Sequence, residues 1–196
     1  MSRKTVFDSM IAEPLDAVLG QTLLSVDYWI LDCDKAGFSA EQPNATGVMA
    51  VRLCFEETHL RVAPGREETL RADGIYHHIQ LHLDGECGDG GDVWTEKFAE
   101  AANIQAALWQ RAVGKRLTHV EALGFYDSPQ AIRFSFSAAA IVVATGYSGN
   151  PLLVGDGDEI LVFAGQEWPD RSNTHEQAWE RLWSASATVS REVLVN

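Results

Sequence analysis

The residues best suited to chemistry crowd into IYHHIQLHLDGECGDGGD, residues 75–92, where three of the chain's six histidines stand beside four acids: His77, His78 and His82 with Asp84, Glu86, Asp89 and Asp92. Imidazole and carboxylate together can ligate a metal or move a proton. The alternation of Ile75, His77, Ile79, Leu81 and Leu83 makes the first part a strand. At about 3.3 Å per residue, His78 and His82 share a face but lie roughly 13 Å apart, too far to hold one ion. His82 and Asp84 are roughly 6.6 Å apart along the strand and supply two of the three or four ligands that zinc needs. A small metal-assisted hydrolase using His78 or His82 with Asp84 is therefore one reading. Solvated or hydrogen-bonded strand histidines are the plainer one.

Other motifs fall short of a reaction. The glycines of GECGDGGD, 85–92, could cradle a phosphate, but Glu86, Asp89 and Asp92, with no Lys or Arg, would repel it. The same acids lack the spacing of a calcium loop, and GDGDE at 155–159 is too short for one. Gly146 and Ser148 in GYSGN do not make the G-x-S-x-G turn of an exposed nucleophile. Cys33 stands between Asp32 and Asp34, Cys54 amid strand residues and Cys87 in the acidic loop, surroundings that disfavour a thiolate. No catalytic residue is assigned, and no cofactor is called for.

The elements that must position these groups follow from composition and pattern. With 196 residues, 46% apolar and 22% charged, the chain can bury a core without a disulfide or metal staple. Three cysteines without C-x-x-C spacing read as reduced thiols. No 18-residue apolar stretch occurs, and the first residues lack the apolar run of a secretory signal, so a cytoplasmic location is expected. The net charge of −13 disfavours nucleic acid and anionic membrane as partners and favours a basic protein. Residues 1–98 hold 8 Lys and Arg against 17 Asp and Glu, and the remainder 7 against 11, so the negative field is concentrated in the first half.

Two pairs of segments resemble one another: GQTLLSVD (20–27) with GKRLTHVE (114–121), and MAVRLCFEETHLRVAPG (49–65) with QAIRFSFSAAAIVVATG (130–146). The second pair shares Ala50, Arg52, Phe55, Val62, Ala63 and Gly65 with Ala131, Arg133, Phe136, Val143, Ala144 and Gly146, six of 17 positions where composition alone gives about one. The offset falls from 94 to 81 residues, which makes DCDKAGFSAEQPN, 32–44, an insertion and a loop. Val51, Leu53 and Phe55 alternate with Arg52 and Cys54, as Ile132, Phe134 and Phe136 do with Arg133 and Ser135, giving half-buried strands. Strands at 60–62 and 141–143 and third strands at 75–83 and 159–164 complete two antiparallel meanders.

Helical spacing of Phe98, Ala101, Leu108, Trp109 and Ala112 predicts a linking helix over 95–113, and Trp179, Leu182, Trp183, Ser186 and Val189 predict another over 174–189. The expected fold is α+β and mainly β: two pseudo-repeated antiparallel meanders, each followed by a helix, sharing one core. It forms a single domain over 1–196, with repeats at about 13–92 and 114–168.

Acidity beside six tryptophans suits an interface, since Trp is a preferred anchor. Trp29 beside the insertion, Trp94 after the acidic loop and Trp168 lie near expected loops. A strand of the form G-x-x-L-x-x-V followed by an alternating hairpin, here Gly20, Leu23, Val26 and Gly114, Leu117, Val120, resembles bacterial toxin-immunity proteins. That resemblance implies a non-enzymatic protein whose acidic surface docks on a basic toxin. The contact region expected on the residues is Asp84, Glu86, Asp89 and Asp92 with Trp29, Asp32, Asp34, Trp94 and Trp168. A self-assembling structural module that presents sheet edges is the remaining alternative.

Overall fold

In GQTLLSVD and GKRLTHVE the apolar residues Leu23 and Val26, or Leu117 and Val120, are three positions apart, a spacing that a regular strand cannot place on one face. The chain meets it with a bulge in each strand, between Leu23 and Ser25 and between Leu117 and His119. Leu23, Val26, Leu117 and Val120 are thereby all buried, and Leu24, carried outward, is 53% exposed.

The computed structural model describes residues 8–31, 48–71, 74–84, 98–99, 108–125, 128–146, 159–165 and 180–187. The strands are β1 (Leu23–Leu31), β2 (Val48–Phe55), β3 (His59–Arg71), β4 (Gly74–Asp84), β5 (Phe98–Ala99), β6 (Leu117–Phe125), β7 (Ser128–Phe136), β8 (Ala140–Gly146), β9 (Glu159–Ala164) and β10 (Glu180–Ser186). All pair antiparallel in one mainly β architecture. The order is β10-β6-β7-β8-β9-β2-β1-β5, with β3 branching from β2 and β4 pairing β3. The junction between β2 and β9 is the single pair Val48 with Ile160.

The two strand groups share one pattern of register. Asp27 faces Arg52 and Glu121 faces Arg133; Val51 faces Val62 and Ile132 faces Val143; Val62 faces Leu81 and Val143 faces Val162. Where the groups meet, Gly20 N donates to Leu117 O at 2.9 Å and Gly114 N to Leu23 O at 2.8 Å, on either side of the Thr22–Arg116 bridge. Gly20 and Gly114 have φ of 87° and 74°, a conformation that a side chain disfavours.

A π-helical turn, Asp8–Ala12, runs into one short helix, α1 (Glu13–Val18), with Pro14 in its first turn where a missing N–H costs nothing. Leu15 of α1 and Trp109 of the turn before Gly114 are both fully buried. Inward residues of both strand groups, among them Val26, Leu53, Phe55, Val120, Ile132 and Phe134, belong to one apolar cluster. Each such side chain contributes about 1.5–3 kcal/mol by leaving water.

The two helices expected from periodicity are corrected where the chain is described. Glu180–Ser186, inside the expected 174–189 helix, is strand β10, which pairs with β6 and satisfies the backbone groups along its edge. Phe98–Ala99, inside 95–113, is strand β5 on β1, and Leu108–Gly114 forms turns. Trp183 packs on the core from a strand, so its apolar spacing served both periods and sheet pairing decided between them.

Candidate functional site

Strand alternation places Leu53, Leu60 and Leu81 in the core and turns Arg52, Cys54, His59, Arg61 and His82 to the opposite face. Register then lines them up. One row runs Ser25, Cys54, His59, Asp84 across β1–β4, and the next runs Asp27, Arg52, Arg61, His82. A third holds Trp29, Ala50 and, on β3 and β4, Ala63 and Gln80.

Asp27 anchors this face. Its Oδ2 accepts from Arg52 Nε at 2.9 Å and from Arg52 Nη2 at 2.5 Å, and lies 3.8 Å from Cys54 Sγ. The Arg52 guanidinium also sits over the Trp29 ring, 4.9 Å from its centroid, which fixes its plane. Cys54 is buried and its thiol faces the Asp27 carboxylate.

On the other strand group, Glu121 takes the place of Asp27. It pairs with Arg133 (3.4 Å) and Arg181 (3.2 Å) and has His119 at 3.8 Å. His119 Nδ1 lies 2.8 Å from Ser186 Oγ, so β10 is tied to β6 by side chains as well as backbone. Around this pair the face changes character. Leu123, Ala131, Val142, Ala144 and Leu161 form a second buried apolar cluster with Phe163 packed against it. The face of β1–β4 is polar where that of β6–β9 is apolar and covered.

Of the residues singled out from sequence, Trp29 lies half-buried under Arg52, and His82 is exposed on the polar face. Asp84 ends β4 opposite His59. His78 lies farther along β4 against Gly65, where any Cβ would collide with the imidazole. Glu86, Asp89, Asp92, Asp32, Asp34, Trp94 and Trp168 lie outside the described residues. Their points of departure differ: the 85–92 stretch follows Asp84 beside the Glu56–Glu57 turn, whereas 32–44 follows Leu31 at the opposite end of the meander. Six residues of rise, from Ser25 to Leu31, separate those ends by roughly 20 Å.

For the metal reading, register brings His59 opposite Asp84, a neighbour that no single segment reveals. Among the described residues no group of three or more His, Cys, Asp or Glu side chains is arranged to hold a metal ion. Asp27, His59 and Arg61 are the members of the polar face that sequence reading missed, because only cross-strand register joins them to Arg52, Cys54 and His82. Among the described residues no helix is long and apolar enough to cross a membrane. The chain matches no protein-family model, no curated protein and no solved structure in the comparisons made.

Proposed function

We propose that the chain is two copies of one meander and works as a non-enzymatic acidic binding protein, most concretely an immunity protein that neutralises a basic toxin from the cytoplasm. Matching registers and the reciprocal Gly20 and Gly114 bonds support the duplication. The difference between the copies supports the function. The acidic 85–92 stretch leaves β4 beside Glu56 and Glu57, both exposed, while the turn at the matching place in the second copy is Ser137–Ala138. That asymmetry carries the reading, because the first meander exposes Glu56 and Glu57 at the turn where the second has Ser137 and Ala138.

Glu56 and Glu57 are also held in place. Glu56 Oε2 accepts from Thr22 N at 3.1 Å, and Glu57 N donates to Gln21 Oε1 at 2.9 Å, so the turn is presented rigidly to a partner. Complementary charge would speed encounter with a basic protein, and a buried aromatic anchor would slow release. The test is capture from the native host's lysate at low and high salt, with mass spectrometry of the bound protein and equilibrium titration of the purified partner. A basic protein whose affinity falls steeply with salt supports the reading; a partner that is acidic, or whose affinity ignores salt, contradicts it.

A further inference from the structure

The two strand groups meet at the Thr22–Arg116 bridge and carry different side chains around it. Thr22 joins the two sets: its N–H donates to Glu56 Oε2 at 3.1 Å, and it stands opposite Arg116, where Cβ atoms are about 5 Å apart. On one side lie Glu56 and Glu57, and on the other Lys115 and Arg116, with Arg111 on the turn before Gly114; all five are exposed. The matching places carry no charge, since Ser137 and Ala138 answer Glu56 and Glu57, and Gln21 and Thr22 answer Lys115 and Arg116. Leu24, 53% exposed, is the outward residue of the first bulge. Its match, Thr118, donates its hydroxyl to Ser135 O at 2.9 Å, a bond that a leucine cannot make. The fold therefore does not require a leucine there. Beside it Gly114, whose N–H donates to Leu23 O, has nothing within 4 Å of the place a Cβ would occupy.

We propose that this patch is an interface between two copies of the chain related by a two-fold axis, in which Glu56 and Glu57 of each copy meet Lys115 and Arg116 of the other around the two Leu24 side chains. A patch that carries both signs at adjacent places complements itself when turned by half a rotation, and each contact is then made twice. Exposed ion pairs contribute at most about 1 kcal/mol each, so they set the orientation while burial of Leu24 holds the pair. At physiological salt, screening beyond about 8 Å limits the repulsion between two chains of net charge −13. The pair would cover the turn that the partner reading uses, but it needs Leu24, Lys115 and Arg116, which that reading does not, and either can fail alone.

The test is sedimentation equilibrium of the full chain at about 0.15 M and at about 1 M salt. A reversible dimer is expected at the lower salt, weakened about tenfold or more at the higher and about tenfold or more by Leu24→Thr. Lys115→Glu/Arg116→Glu and Glu56→Lys/Glu57→Lys should each be monomeric alone, and their equimolar mixture should dimerise again, because each supplies the charge the other lacks. Arg111→Glu/Lys115→Glu serves if the first basic-turn variant fails to fold. A native chain that stays monomeric, a dimer that either charge reversal leaves intact, a mixture that stays monomeric, or species larger than a dimer overturns the proposal.

Discussion

Trp109 donates its indole N–H to the Tyr28 hydroxyl at 2.5 Å, across 81 residues of sequence and in the middle of the core. Both rings are fully buried. The bond ties the turn that precedes Gly114 to strand β1, the side of the molecule from which the polar face is built.

Tyr28→Phe leaves that indole N–H without its acceptor, and the expected loss is about 1–3 kcal/mol, read from urea unfolding at pH 7. Burial also pushes the Tyr28 phenol well above its ordinary range, with the Trp109 bond lowering it only in part. The folded form therefore resists ionisation that the unfolded chain undergoes near pH 10, so stability should fall as pH rises above that value. In Tyr28→Phe this alkaline loss should be smaller than in the native protein. An equal loss would mean that other groups cause it.

Gly114 has φ of 74° and open space around its Cα, so Gly114→Ala should lose about 1 kcal/mol through backbone conformation alone. Gly65→Ala differs in kind, because its Cβ meets the His78 ring, which must move to admit it. Its loss should exceed that of Gly114→Ala in the same denaturation experiment, and rescue by His78→Ala would identify the collision as the cause.

Glu121 sits with its side chain 12% exposed among His119, Arg133 and Arg181. Glu121→Gln should destabilise the chain by about 1–3 kcal/mol, since two arginines lose their shared carboxylate. Hydrogen exchange should quicken first at the amides of β10, which Glu121 helps to hold through Arg181. Uniform quickening across β7 and β8 would contradict that latch.

Much of the β architecture was legible where apolar and polar residues alternate, as in Val51, Leu53 and Phe55 with Arg52 and Cys54 between them. The third strands at 75–83 and 159–164 emerge as Gly74–Asp84 and Glu159–Ala164. Around Trp183 the sequence suits both periods: Leu182, Trp183 and Ser186 fit a helical stripe, while pairing with β6 makes the segment a strand. The polar face was legible only in fragments. Alternation tells that Arg52 points away from Leu53, but which residues of β1, β3 and β4 stand beside it depends on register, and register depends on bulges and turns. The metal reading of His82 and Asp84 came from one strand, and its nearest addition, His59, belongs to the next.

The central claim is that the acidic end of the first meander meets a basic partner. The most direct measurement is the affinity of that captured partner for Glu56→Lys/Glu57→Lys and for Asp89→Lys/Asp92→Lys, beside the control Ser137→Lys/Ala138→Lys, at low salt. The account predicts at least a tenfold loss for the two acidic-end variants, with the salt dependence flattened, and little change for the control. Equal affinities in all three, or a greater loss in the control, would contradict it.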